Sequence, residues 1–368
     1  MIRPPDDTLP TAANEAAPTS ASLKGERLVI RADADSRIGM GHVMRCLALA
    51  QSWIGFGGTA RLACTAVPPA IAERYHDAGA EVVLHDRWPA EELVDDAAAV
   101  VADGLEIADG DLAAIAAAGL PLATIDDMGH RSAYPGAVVV NQNLHADAAL
   151  YSGKTEARLC LGPTYGLLRR EFRDAGTGLR AIPETVRRVL VLMGGADPKG
   201  YSALVLGAVA EAAAELAGEP EVILVVGAAN PALHDLERQA ALLPARVEIR
   251  HDVRDMADLL ASVDLAVSAA GSTVLEMACL GVPMIVGAQN ESETGPAAAL
   301  ARQGAAIDIG PLDRLDTAAL ARTVAAVARD PARRQVLAQN ARERSDGRGA
   351  DRVAALIAGL VRPQDFRS

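Results

Sequence analysis

Short apolar runs alternate with amphipathic stretches along almost the whole chain. The first run, Leu28-Val29-Ile30, leads into a polar turn that closes on Gly39-Met40-Gly41-His42. Apolar residues at helical spacing follow, at Val43, Leu47, Ala50 and Ile54. This reads as a buried strand, a glycine loop and a helix. Further strands are predicted at 60–65, 81–84, 99–103, 121–125 and 137–141, with helices at 69–78 and 109–118 among the segments between them. A second series runs through 188–193, 221–227, 247–250, 265–268, 284–287 and 306–309, with helices at 202–216 and 254–262. Repeated strand–helix alternation means a parallel sheet covered on both faces. The loose stretch from Asp174 to Gly178 separates the two series. The fold class is therefore α/β, with two Rossmann-like, doubly wound domains at 25–178 and 179–368 that face a cleft. The last helix, about 350–360, is a candidate to cross back to the first domain. Residues 1–24, rich in Ala, Pro, Thr, Ser and acids, read as a disordered tail. They lack the basic start and apolar core of a secretory signal.

Composition narrows the function classes. Half of the 368 residues are hydrophobic, enough for two cores. Aromatic residues make up 3% and the net charge is −13, which argues against base-stacking platforms, nucleic-acid partners and anionic membrane surfaces. No apolar run reaches membrane-spanning length. The four cysteines, Cys46, Cys64, Cys160 and Cys279, are scattered without a C-x-x-C pair. They read as buried thiols of a reducing, cytoplasmic environment.

Candidate chemistry gathers at strand-to-helix turns, where open α/β sheets bind ligands. Gly39 and Gly41 shape the first turn, and His42 sits at the helix amino end. That end's positive field disfavours imidazolium, so His42 is expected to stay neutral and able to accept a proton; a capping or packing histidine is the plainer reading. A dinucleotide fingerprint is not met, because Met44 stands at the third glycine position and the 60–65 strand ends without an acid. Gly194 and Gly195 open a second turn, with Asp197 as a cap or turn former. Gly271, Ser272 and Thr273 open a third, where backbone N–H groups and hydroxyls suit a diphosphate. Thr273 and Glu276 also have capping-box spacing, which competes with a ligand role for Glu276. Arg45, one turn into the first helix, either steers a phosphate or pairs with an acid. Asp33-Ala34-Asp35 and Asp126-Asp127 read as solvated turn residues rather than metal ligands. H-E-x-x-H, G-x-S-x-G and phosphate-loop lysine motifs are all absent. No metal and no cofactor are expected.

Four stretches together resemble the PseG family of nucleotide-sugar hydrolases. They are IRADADSRIGMGHVMRCLALA at 30–50, LGPTYGLLRREF at 161–172, VLMGGADPKG at 191–200 and HDVRDMADLLASVDLAVSAAGSTVLEMACLGVPMIV at 251–286. They occur in the family's order and span nearly the whole chain after the tail. The resemblance implies a GT-B-like fold related to the MurG glycosyltransferases. It implies release of UDP from UDP-2,4-diacetamido-2,4,6-trideoxy-β-L-altropyranose, by water attack at C1 with inversion and without a metal. That step belongs to pseudaminic acid biosynthesis and flagellin glycosylation. By the same resemblance His42 activates the water, Glu276 holds the uridine ribose, and Gly271 to Thr273 hold the diphosphate. Gly39, Gly41, Arg45, Gly194, Gly195 and Asn290 complete the expected substrate contacts. Two positions depart from the family. Leu105 stands where Asp-x-Tyr would bring a tyrosine near the sugar, and Glu291 follows Asn290 where a glutamine is usual. Two alternatives stay open: a glycosyltransferase using a UDP-sugar donor, and a UDP-sugar-binding homologue with impaired catalysis.

Overall fold

The computed structural model describes residues 23–35, 38–176, 178, 180–228 and 230–362. The expected tail lies outside them except for its last two positions. Of those, Leu23 is fully buried and its N–H donates to the Phe56 carbonyl at 3.1 Å, so the packed chain begins by residue 23. In the stretch expected to be loose, residue 177 also falls outside the described residues.

The first sheet contains β1 (Arg27–Ala32), β2 (Thr59–Cys64), β3 (Glu81–Leu84), β4 (Ala99–Asp103), β5 (Leu122–Ile125), β6 (Val138–Asn141) and β7 (Arg158–Leu161). The second contains β8 (Arg188–Leu192), β9 (Glu221–Val226), β10 (Val247–His251), β11 (Leu265–Ala269), β12 (Met284–Ala288) and β13 (Ile307–Pro311). Both are parallel, in the orders β3-β2-β1-β4-β5-β6-β7 and β10-β9-β8-β11-β12-β13. Strands β4, β5, β6, β11 and β12 are buried throughout, which is why they read as unbroken apolar runs. The edge strand β7 was not expected, because its four residues start with an arginine and give too short an apolar signal. In each sheet the strand order reverses beside the first strand, between β1 and β4 and between β8 and β11. Crevices open at the carboxyl ends of such pairs.

The helix Gly41–Gly55 follows the first turn, and the last helix, Gly349–Val361, packs along it. Val353, Ala354, Ile357 and Ala358 share a core with Leu28, Leu47 and Trp53, so the end of the chain completes the first domain's interior. Asp351 fixes the register. It accepts from Ser52 Oγ at 2.9 Å and from Arg173 Nη1 at 2.8 Å. No described helix is long and apolar enough to cross a membrane.

The last helix is seated by a close backbone approach. A Cβ on Gly349 would lie 2.3 Å from the Gly166 carbonyl oxygen and 2.4 Å from its nitrogen. Gly349→Ala is therefore expected to lower stability by about 1–3 kcal/mol through overpacking, read as a lower midpoint in urea denaturation. An unchanged midpoint would mean that this contact does not seat the helix.

Candidate functional site

The site is organised around a buried carboxylate. Asp103 ends β4 with 1% exposure. Arg45, on the inward face of the helix Gly41–Gly55, donates to it twice, Nε to Oδ2 at 2.6 Å and Nη2 to Oδ1 at 2.7 Å. The same guanidinium reaches Asp127, just past β5, with Nη1 at 2.8 Å from Oδ1. Arg45 thus pairs with acids, and its donors are engaged rather than offered to a phosphate. Of the two expected roles, steering a phosphate or pairing with an acid, the geometry shows the second.

His42 lies one turn before Arg45, with Nδ1 2.7 Å from Asp103 Oδ1. An ionised carboxylate only accepts, so Nδ1 carries the proton and the Nε2 lone pair is left for a reactant. Burial pulls the His42 pKa down, but the hydrogen bond and charge of Asp103 outweigh it. The net pKa lies above the ordinary 6.5. The shift runs opposite to the one expected from the helix end alone, because a full charge in contact exceeds the half charge of a helix terminus. Burial also raises Asp103, yet the Arg45 charge and hydrogen bonds hold its carboxyl well below the usual carboxylate range. Gly39 turns the loop at φ +86°, a left-handed conformation that suits glycine, and Gly41 is the first helical residue.

Several neighbours were missed or undervalued. Asp126 is 4% exposed, not a solvated turn residue. It accepts from Tyr134 Oη at 2.9 Å, Tyr151 Oη at 2.8 Å and Gly129 N at 2.6 Å. Asp33 is equally buried and ties the ends of β1 and β2 by accepting from Arg31 and from the Thr65 and Ala66 N–H groups. The amide run Asn141-Gln142-Asn143 at the end of β6 was overlooked. Asn143 Nδ2 donates to Asp127 at 2.7 Å, and Gln142 accepts from Leu167 N at 2.8 Å. Three consecutive amides where an apolar strand stops were the signal for it. Among the described residues, no three His, Cys, Asp or Glu side chains are grouped to hold a metal.

The second domain faces this loop with Gly194 (φ +75°) and Gly195. The Met40 side chain is 3.9 Å from the position of a Gly195 Cβ, so the two glycine turns meet across the cleft. The helix that follows in the chain does not start at Gly195. The helix begins at Tyr201, and Asp197 caps it by accepting from Tyr201 N at 2.9 Å and Ser202 N at 2.8 Å. At the third turn Ser272 is exposed, and the helix Thr273–Cys279 spans only seven residues. The capping-box alternative is not realised, since that helix has no side-chain cap. Glu276 instead lies 3.5 Å from Arg169 Nη2, and burial raises its pKa in spite of that arginine. Asn290 is exposed before the helix Glu291–Arg302. The carboxylate set against the third turn is Glu293, 3.4 Å from a Gly271 Cβ, accepting from Gln289 N at 2.8 Å.

No protein-family model matches the chain. It is 30% identical over 203 residues to the spore coat polysaccharide biosynthesis protein SpsG of Bacillus subtilis (strain 168). That match covers 55% of this chain and 59% of the relative. In structure it is similar to MurG of Acinetobacter baumannii, with TM-score 0.61, 17% identity, and 90% and 99% of the two chains covered. It is also similar to a putative UDP-N-acetylglucosamine 2-epimerase of Listeria monocytogenes, with TM-score 0.63, 14% identity, and 92% and 96% covered. At these identities the structural likeness shows the fold: two parallel-sheet α/β domains of the GT-B type.

Replacing Arg45 would strand buried carboxylates. Arg45→Met is expected to cost about 3–5 kcal/mol of stability, measured by urea denaturation. The sign of the pH dependence follows from the shifts. The Asp103 contribution is whole above the ordinary carboxylate range and is lost as pH falls below about 4. The His42 contribution is whole below about 6.5 and is lost as pH rises through its raised pKa. Stability that stayed flat from pH 5 down to pH 2 would contradict the Asp103 linkage.

Proposed function

We propose that the chain is a nucleotide-sugar hydrolase of the PseG type, acting on UDP-2,4-diacetamido-2,4,6-trideoxy-β-L-altropyranose by water attack at C1. The observation that carries this reading is the His42–Asp103–Arg45 set, which follows the turn whose Met40 lies against Gly195. Neutral His42 takes a proton from water at Nε2 as the water oxygen bonds to C1 and the C1–O bond to UDP breaks. Asp103 fixes the ring's tautomer and stabilises the imidazolium that forms. Arg45 is a positioning residue that keeps Asp103 ionised. Attack from one face inverts the anomeric centre through an oxocarbenium-like state. UDP leaves toward Gly271, Ser272 and Thr273, whose N–H groups and hydroxyls suit its charge. Glu276 takes ribose hydroxyls. Glu293 stands beside the Gly271 turn, and burial raises its pKa.

The likeness to MurG, together with the SpsG match, favours one second reading: transfer of the sugar to an acceptor other than water on the same scaffold. Hydrolysis releases UDP without an acceptor, whereas transfer requires one.

Incubation of the protein with the UDP-trideoxy sugar in oxygen-18 water, without metal or acceptor, separates these readings. Label in the sugar and none in UDP is the expected outcome, with His42→Ala slower by about 10²–10⁴-fold. Label in UDP would place attack at phosphorus and overturn the mechanism. UDP release only after an acceptor is added would identify a transferase. The pH profile gives an independent check. The acidic limb of kcat/KM is expected above about pH 6.5, and Asp103→Asn should move it to lower pH, because burial then acts on His42 without the carboxylate. A limb that did not move would remove Asp103 from its assigned part.

A further inference from the structure

We infer that His130 is a second histidine of the same site, a specificity-determining residue that reads a hydrogen-bond donor on the sugar. This rests on the proposed UDP-sugar reading and adds a group that reading does not use.

The pocket beside His42 is lined by His42, Asp103, Leu105, Asp126 and His130 among others. His130 therefore faces the same space as the proposed base, from the next strand. Asp103 ends β4 and Asp126 follows β5, and the two strands pair with Asp103 opposite Ile125. Each aspartate faces the Nδ1 of one histidine, at 2.7 Å for His42 and 3.4 Å for His130. The sheet thus presents two carboxylate–imidazole pairs side by side at its carboxyl edge.

The second pair is looser than the first, but its carboxylate and the backbone around its histidine are firmly held. Asp126 takes hydrogen bonds from two buried phenols and from Gly129 N. On one side of His130, Lys154 Nζ donates to the Gly129 carbonyl at 2.6 Å. On the other, Arg131 is buried, donating to the carbonyls of Ile107 at 2.8 Å and Gly104 at 2.7 Å. Between these clamps the His130 side chain keeps 42% exposure. A fixed backbone and an open imidazole are what a reading group needs.

The chemistry follows from the carboxylate. With Nδ1 3.4 Å from Asp126 Oδ1, the carboxylate favours the Nδ1–H tautomer, which leaves Nε2 as an acceptor. It selects a hydroxyl or acetamido N–H on the pyranose ring over a bare carbon at that position. UDP alone lacks the sugar and does not reach it.

The test is calorimetric titration of wild type, His130→Gln and His130→Ala with UDP and, separately, with the UDP-trideoxy sugar, using His42→Ala as the background to prevent turnover. The inference expects His130→Ala to weaken the UDP-sugar about tenfold or more and to leave UDP unchanged, with His130→Gln between. Equal weakening of both ligands would show a structural role and overturn it. No change in either would also overturn it. Failure of the parent protein to bind UDP at all would bring down the UDP-sugar reading itself, and this inference with it. Circular dichroism and urea midpoints of the variants confirm that folded proteins are compared.

Discussion

A carboxylate buried at the end of a parallel strand is the constraint on which this site depends. Asp103 has almost no contact with water, and an isolated charge there would be strongly disfavoured. It is tolerated because Arg45 meets it with two parallel hydrogen bonds. Arg45 in turn is acceptable in the interior because a second acid, Asp127, shares its charge. Each member justifies burial of the next, and His42 inherits a fixed orientation from the chain of pairs. The fold contributes the rest: the helix Gly41–Gly55 spaces His42 and Arg45 by three residues, so both side chains leave the same face.

The second domain is joined to this arrangement by charged contacts between the domains. Arg74 donates to the Val253 carbonyl and reaches Asp252, and Glu73 pairs with Arg254. Arg169, from the segment that leads out of the first sheet, lies against Glu276. Beside these polar contacts, Leu168 and Phe172 from the same outgoing segment pack into the apolar core of the second domain.

Much of this was legible in the sequence, and the exceptions have physical reasons. Strand positions, the alternation and the three glycine turns were visible because buried parallel strands are continuous apolar runs. The GT-B fold expected from the quoted stretches agrees with the observed sheets. Pairing between distant side chains was invisible: Asp126 and Asp33 looked like turn residues because nothing local shows that tyrosines, or the start of another loop, will cover them. His42 was placed at its helix end correctly, but its charge balance depends on Asp103, sixty-one residues away. The capping box failed for a related reason, since a distant arginine reaches Glu276.

The returning helix also bears on how the protein is made. Val353, Ala354, Ile357 and Ala358 belong to a core whose other walls are set by residues near the amino end. During synthesis the first domain emerges early but lacks that wall until residues 349–361 have left the ribosome. Its apolar face, including Trp53 and Leu47, must wait while the second domain is translated and can fold as a unit. The order of completion is then the reverse of the order of synthesis. The domain carrying His42 closes last, so the nascent chain holds a finished second domain before it holds a finished first one.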